Sequence, residues 1–562
     1  MGCNLMTEPT ADLHSYLESL ARTSSERWTV SACGVTASRQ NIPALLHKDA
    51  YAPESSAMPV LLISGLSGQG EDVPLARRVL ELFQASGSPL ADRIGLSAIP
   101  NCNPDGIRDM STGYPPTGNF FYDAEEPEKR YLWRWICFQG PSLILELNSG
   151  ESVRWQTNDA GAGLASDLAG SVDTVENGSL LAALGTGSPD GLGQIPGLRL
   201  TTPPDSLGDE LGRLWNVLQH QPDLGGASPA GQALEARAAR SHMEVARTLA
   251  MVYGYQLDPV NYTQGVGISG RLRLHELSNS GESPAPGIVR LVEPYVSGSV
   301  AMFGERASGA NLAGLIWGRE LSEATGDRRY SDLIVDVANR YRPGVDGGAP
   351  PPCDPDFRTE DMFMAGAMLG RAFEITGEDR YLDLLVKFII DGGIQQENGL
   401  FWHCRPAHFY WGRGNGFAAM GLTETLTFLP ENFPGRDTVA AMYRKLLDGL
   451  VKIQNPSGML TEVLDVPGSY QELTATCMLG YSLARGLRRG WLGPSYQAPL
   501  DLAWRGVSQR IDGEGNVVDG CASTGVQAST DEYLDRPAVF GFDDRTGGMA
   551  LWFAIEMQLH QG

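Results

Sequence analysis

The sequence predicts two domains of different class. An α/β domain with a mostly parallel sheet covers residues 1–280, and an all-helical toroid of the (α/α)6 type covers 281–562. Three observations lead there. Short apolar runs alternate with helical stretches in the first half, as in strands buried on both faces. A segment recurs in the second half: "ATGDRRYSDLIV" (324–335) returns as "ITGEDRYLDLLV" (375–386). The stretch that precedes each copy is rich in small and apolar residues, the composition of a helix with little polar surface.

In the first half "PVLLISG" (59–65) reads as a buried strand ending in glycine. "EDVPLARRVLELFQAS" then opens a helix, with Asp72 as N-cap and Pro74 near N1. "IGLSAIP" (94–100) and "SLILELN" (142–148) are further buried strands.

In the second half each repeat joins two helices. The Thr-Gly pair ends one helix with a glycine C-cap, and the acidic residue after it opens the next at its positive end. "LPENFPGRDT" and "RRGWLGPSY" read as degenerate copies of the same link. "GSYQELTATCMLGYSLARG" (468–486) places Ser469 and Glu472 at capping-box spacing. Leu473, Cys477, Met478, Tyr481 and Leu483 then cover most of its circumference, so this helix belongs to an inner ring. Ten or eleven helices are legible, close to the six pairs of a closed ring.

At 562 residues the chain exceeds one ordinary core, and 42% hydrophobic with 20% charged residues is a globular composition. The net charge of −24 argues against a nucleic-acid partner, which needs clustered Lys and Arg. Eight cysteines lack CxxC or C-x-H spacing, so neither a disulfide framework nor a zinc knuckle is indicated. The N-terminus has no apolar leader, "MGCNLM" fails the myristoylation pattern at Met6, and no 18-residue apolar run occurs. These features predict a cytoplasmic protein without a membrane partner; oligomeric state is not legible.

"FYWGRGNGFAAMGL" (409–422) holds Gly412, Gly414 and Gly416 within five residues. A dinucleotide fingerprint needs a preceding strand and an acidic residue about 20 positions on, and a P-loop needs its lysine. Neither pattern fits. The run is expected to enter an inner helix at the mouth of the ring, where small residues let backbone approach a ligand and free N–H groups favour an anion. Arg413 offers a rigid fork for a carboxylate.

Five segments carry a specific resemblance: "RTEDMFMAGAMLG" (358–370), "GLFWH" (399–403), "WGRGNGF" (411–417), "GSYQELTATCMLGYSLARG" and "DDRTGGMALWFAIEM" (543–557). In this order they resemble the unsaturated glucuronyl and rhamnogalacturonyl hydrolases of glycoside hydrolase families 88 and 105. The resemblance implies a substrate oligosaccharide ending in a 4,5-unsaturated uronic acid, no cofactor, and hydration of a vinyl ether. It assigns Asp361 as general acid and base, with His403, Trp411, Arg413 and Phe417 binding substrate. Adjacent helical residues point about 100° apart, so Glu360 and Asp361 are not both expected to face the site. Two departures stand out. Phe417 replaces a usual tryptophan, and Ala313, with Asn311 nearby, stands where a second aspartate is expected.

"IPNCNPDG" (99–106), "GYPPTGNFFYD" (113–123) and "PEKRYLWRW" (127–135) resemble the zinc carboxypeptidase family and its deacylase relatives. Where that family's ligands are expected, this chain has Ser67, Gly70 and Asn148. Serine and asparagine are poor zinc ligands, so a metal-free domain is predicted. The alternatives to the glycosidase reading are a metallohydrolase in the first half and a non-catalytic carbohydrate-binding protein.

Overall fold

The computed structural model describes residues 8–561 except 53–54, 69, 87–89, 91, 107, 169–171, 188–190, 221–226, 279–280 and 306. Cys3 and the "MGCNLM" segment lie outside the described residues. The chain forms two compact units: Met1–Ala239 with Val466–Tyr470, and Arg240–Asp465 with Gln471–Gly562. The division therefore falls at 239/240 rather than the expected 280/281, because the helices His242–Ala250 and Tyr262–Ser278 pack within the helical unit.

The first unit is built on a sheet of β1 (Trp28–Val35), β2 (Asn41–His47), β3 (Met58–Ser64), β4 (Ile94–Ile99), β5 (Leu143–Ser149), β6 (Arg154–Thr157), β7 (Asp173–Thr174) and β8 (Gly197–Thr202). The order is β1-β2-β4-β3-β5-β8-β6-β7. Its centre, β4-β3-β5-β8, is parallel, while β1, β2 and β6 join antiparallel. Leu61, Leu62, Ile63 and Leu145 are fully buried, as continuous apolar strands covered on both faces require. The helix after β3 spans Asp72–Ala85 and packs Leu75, Val79 and Phe83 inward. Asp72, expected as its N-cap, is its first helical residue and caps nothing. Its carboxylate accepts from the Ser149 N–H at 2.7 Å and the Ser67 hydroxyl at 3.1 Å, tying the helix start to the end of β5.

The second unit is a closed ring. Six helical stretches line its inside among the described residues. They are Tyr262–Ser278, a broken stretch running from Gly309–Leu312 to Gly318–Thr325, Thr359–Thr376, Gly412–Phe428, Leu473–Arg488 and Asp544–Gln561. Each packs on the next, and the last packs on the first. The outer partners are His242–Ala250, Ala285–Val296, Arg329–Ala338, Arg380–Asp391, Arg436–Lys452 and Gln497–Gln509. The first pair precedes residue 280, which is why the second half alone reads as ten or eleven helices. Gly326 and Gly377 cap their helices in the left-handed region, at φ 72° and 70°, as the Thr-Gly links predict. Ser469 does not cap the Leu473–Arg488 helix. Glu472 does, accepting from the N–H groups of Thr474 and Ala475.

Because an outer helix lies between each inner stretch and the next, the inner helices run the same way and their N-termini gather at one mouth. Near their C-termini a chain of buried ion pairs links all six. Arg273 meets Glu320 at 2.8 Å, Arg371 meets Glu320 at 3.8 Å and Glu424 at 2.9 Å, and Arg485 meets Glu424 at 3.2 Å and Glu556 at 2.7 Å. Burial opposes ionisation of Glu424, but Arg371 and Arg485 hold it down to about 2. The circuit closes where Trp552 donates to the Val266 carbonyl at 3.0 Å and Arg273 lies 3.9 Å over the Trp552 ring.

Candidate active site

A cavity of about 480 Å³ opens at the mouth where the inner helices begin, lined by Gly309, Glu360, Asp361, Trp411, Arg413 and Arg545 among others. Asp361 is the third residue of the Thr359–Thr376 helix and is 8% exposed. Its Oδ2 accepts from the Asp354 N–H at 2.7 Å. Oδ1 accepts from no described residue and faces Gly309, where an added Cβ would lie 2.7 Å away. Burial pushes the Asp361 carboxyl up to about 7; the Asp354 N–H opposes this, and the charges of Glu360 and Asp354 add to it. A carboxyl group in that range can give and take a proton near neutrality.

Glu360 lines the same cavity, contrary to the expectation that only one of the pair faces it. The two sit in the first helical turn, and the cavity wraps wide enough around the helix start to reach both. Their chemistry differs through their partners. Burial alone would raise Glu360, but His403, whose Nε2 lies 3.2 Å from the carboxylate, outweighs it and holds the group below its ordinary range.

His403, expected against substrate, is fully buried and does not line the cavity. Both ring nitrogens are engaged: Nε2 with Glu360, and Nδ1 with the Tyr533 hydroxyl at 2.5 Å. Its ring centre is 4.6 Å from that of Trp411. It therefore backs the cavity wall and fixes the charge of Glu360.

Trp411 is the N-cap residue of the Gly412–Phe428 helix, so the glycine run is helical from its start. The glycines serve packing between protein segments. A Cβ on Gly412 would strike the Thr461 carbonyl, and one on Gly416 would lie 2.7 Å from Met478 Sδ. Arg413 lines the cavity but is 2% exposed. It donates to the carbonyls of Cys521 and Ala522, and it lies 4.7 Å over the Trp411 ring. Two of its N–H groups are thus committed to backbone, leaving less of the expected fork for a ligand. Burial works against its charge, but Cys521 and Glu472 close by more than offset this and keep its pKa above the ordinary value. Phe417 also lines the cavity, its ring edge-on to Tyr262 at 5.6 Å.

Three contributors carry no local sequence signal that singles them out. Glu462 is fully buried beneath Trp411. Its Oε1 accepts from Trp411 Nε1 at 3.0 Å and the Cys521 thiol at 3.1 Å, while Oε2 has no partner among the described residues. Burial, with Glu472 adding, pushes Glu462 up to about 8, so it is a neutral acid at neutral pH. Arg545, within the quoted "DDRTGG", sits at the start of the last inner helix and donates to the Tyr262 hydroxyl at 3.1 Å. Gly309 lies against Asp361, four residues before Ala313, the position at which the second aspartate is expected. Ala313 is fully buried, and the Asn311 side chain is bonded to the Val260 carbonyl and Ser308.

In the first unit, Ser67 is bonded to Asp72, and the Asn148 amide lies 3.4 Å from Glu146, itself paired with Arg199 at 2.7 Å. Among the described residues no group of three or more His, Cys, Asp or Glu is placed to hold a metal ion.

Residues 358–560 match the sequence profile of Glycosyl Hydrolase Family 88. That stretch is a family 88 region. It contains Glu360, Asp361, Trp411, Arg413, Glu462 and Arg545, while Tyr262 and Gly309 precede it. The chain is 25% identical over 190 residues to the unsaturated rhamnogalacturonyl hydrolase YesR of Bacillus subtilis (strain 168), covering 32% of this chain and 53% of that protein. It is 24% identical over 173 residues to an unsaturated 3S-rhamnoglycuronyl hydrolase of Alteromonas sp. (strain LOR), covering 28% and 41%. The chain thus spans about half the length of these curated relatives. Among solved structures, a family 105 glycoside hydrolase of C. acetobutylicum ATCC 824 aligns at a TM-score of 0.49 and 18% identity, covering 53% of this chain and 94% of that one. No helix among the described residues is long and apolar enough to cross a membrane.

Proposed function

We propose that the helical unit is a glycoside hydrolase that removes 4,5-unsaturated uronic acid from the ends of oligosaccharides produced by polysaccharide lyases. The observation that carries this reading is Asp361. It is a buried carboxyl within a family 88 region, one oxygen tied to backbone and the other open to a cavity, its pKa raised to about 7. Oδ1 protonates C4 of the vinyl ether, and the electron pair of the double bond forms the new C–H bond. Positive charge develops at C5 and the ring oxygen. Water adds at C5 and returns a proton to the Asp361 carboxylate. The resulting hemiketal opens to a ketone, and the hemiacetal left at C1 releases the remaining sugar. One carboxyl group serves both proton transfers, unlike the pair flanking the bond in ordinary glycosidases.

The uronate carboxylate is held at the mouth by Arg413 and Arg545, in the field of the helix N-termini gathered there. Trp411 and Phe417 supply the apolar wall against the sugar ring. The test is incubation of the full chain with lyase digests of several acidic polysaccharides, following loss of the conjugated double bond's ultraviolet absorbance. Turnover by the native chain and none by Asp361→Asn is expected. Saturable uronate binding with no turnover of any digest would instead identify a non-catalytic carbohydrate-binding protein.

A further inference from the structure

A second cavity, of about 430 Å³, lies on the outside of the ring. It is floored by one face of the Tyr262–Ser278 helix and flanked by the outer helices His242–Ala250 and Ala285–Val296. Arg271 and His275, four residues apart and so on one helix face, project from the floor. Arg247 comes from one flank and Arg290 from the other. Glu282 is the one acidic residue lining it among the described residues.

In a chain of net charge −24, three arginines lining one cavity against a single carboxylate among the described residues is an unusual local balance. Arg271 is partly buried, yet the hydrogen bond it makes is to the Gly254 carbonyl, at 2.8 Å. Its guanidinium lies 3.8 Å over the Tyr255 ring and pairs with no carboxylate of a described residue. Burial lowers its pKa, with only the Tyr255 phenol opposing. Arg247 and Arg290 enter no ion pair with a described residue. Arg273, two residues along on the inward face, is by contrast paired with Glu320. A cation withdrawn from water without a partner is costly, and an incoming anion removes that cost. The cavity is larger than a bare oxyanion needs and falls within the size of small-ligand sites. Tyr255, 51% exposed, presents an aromatic surface at its rim.

We propose that this cavity is a second, non-catalytic site for an acidic sugar, whose carboxylate or ester oxyanion is held by Arg271 between Arg247 and Arg290 and whose ring lies on Tyr255. The test is calorimetric titration of the full chain with glucuronate, glucose 6-phosphate, inorganic phosphate and glucose. One or both charged sugars should fill a saturable site that glucose does not fill, and the sugar preferred tells a carboxylate source from a phosphate ester. Arg271→Gln should weaken that binding at least tenfold, and Tyr255→Ala at least threefold, with turnover of unsaturated uronides unchanged. Arg290→Gln, at an exposed position, is the second variant should Arg271→Gln fold poorly, and it should weaken binding about threefold or more. Equal binding of the charged sugars by native and variant chains overturns the site. Inorganic phosphate binding as tightly as either sugar, with Tyr255→Ala indifferent, overturns its assignment to a sugar.

Discussion

Asp354 and Asp361 are joined through the backbone: the N–H of the first donates to Oδ2 of the second at 2.7 Å, so the proton of the acid form belongs on Oδ1, the oxygen toward Gly309. Asn in place of Asp361 keeps the shape and removes the proton donor. Turnover should fall about a thousandfold, the middle of the range for a general acid–base group. Steady-state rates beside thermal melting check this, and undiminished turnover in a folded variant would take Asp361 out of the reaction.

Protonation of C4 needs Asp361 in its acid form. With that carboxyl raised to about 7, kcat/KM should be level below that value and fall about tenfold per pH unit above it. A rate profile on one substrate suffices to check it. A fall beginning near pH 4, the ordinary carboxyl range, would contradict the burial argument.

Gly309→Ala places a methyl group 2.7 Å from Oδ1, so Asp361 must move. Because small misplacements of reacting groups are costly, kcat/KM should drop by about tenfold to a hundredfold. The melting temperature should change little, since Gly309 has a negative φ. Full activity in the variant would mean that Oδ1 is not the reacting oxygen.

Glu462 keeps its proton in the folded chain up to about 8 but loses it near 4.5 when unfolded. Between those values the unfolded state binds fewer protons at this residue than the folded one, so the contribution of Glu462 to stability is highest at the acid end. It falls by about 1.4 kcal/mol per pH unit as pH rises, levelling off above 8. Glu462→Gln, neutral throughout, removes this slope. Melting temperatures at pH 5 and pH 8 should favour the variant increasingly at the higher value, and parallel behaviour of the two chains would refute a protonated Glu462.

Arg371→Met leaves Glu424 buried with one cation fewer and Glu320 with a weakened partner. A cost of about 3 kcal/mol is expected, as for breaking a buried pair on one side. Denaturant midpoints measure it. Arg489→Met, at an exposed site of the same cluster, should change stability by less than about 0.5 kcal/mol.

Much of this was legible in the residues because it is local. Continuous apolar runs located β3, β4 and β5, and the Thr-Gly links located Gly326 and Gly377. Asp361 is singled out by the family resemblance that "RTEDMFM" carries, and it lines the cavity at the mouth of the ring. What stayed hidden depends on contacts between distant segments. Glu462 meets Trp411 from 51 residues away, and no spacing rule points from one to the other. Ser469 and Glu472 fit a capping box, but a short strand, Gln471–Glu472, delays the helix and makes Glu472 the cap. The glycines of "WGRGNG" read as room for a ligand, and only the packed Thr461 carbonyl and Met478 show what fills that room.

The ion circuit near the helix C-termini bears on how the ring is closed. Its last members, Glu556 and Trp552, meet partners in Leu473–Arg488 and at Val266 and Arg273, nearly 300 positions earlier in the case of Val266. The circle therefore closes only when the Asp544–Gln561 helix is in place, joining Arg485 on one side to Arg273 on the other.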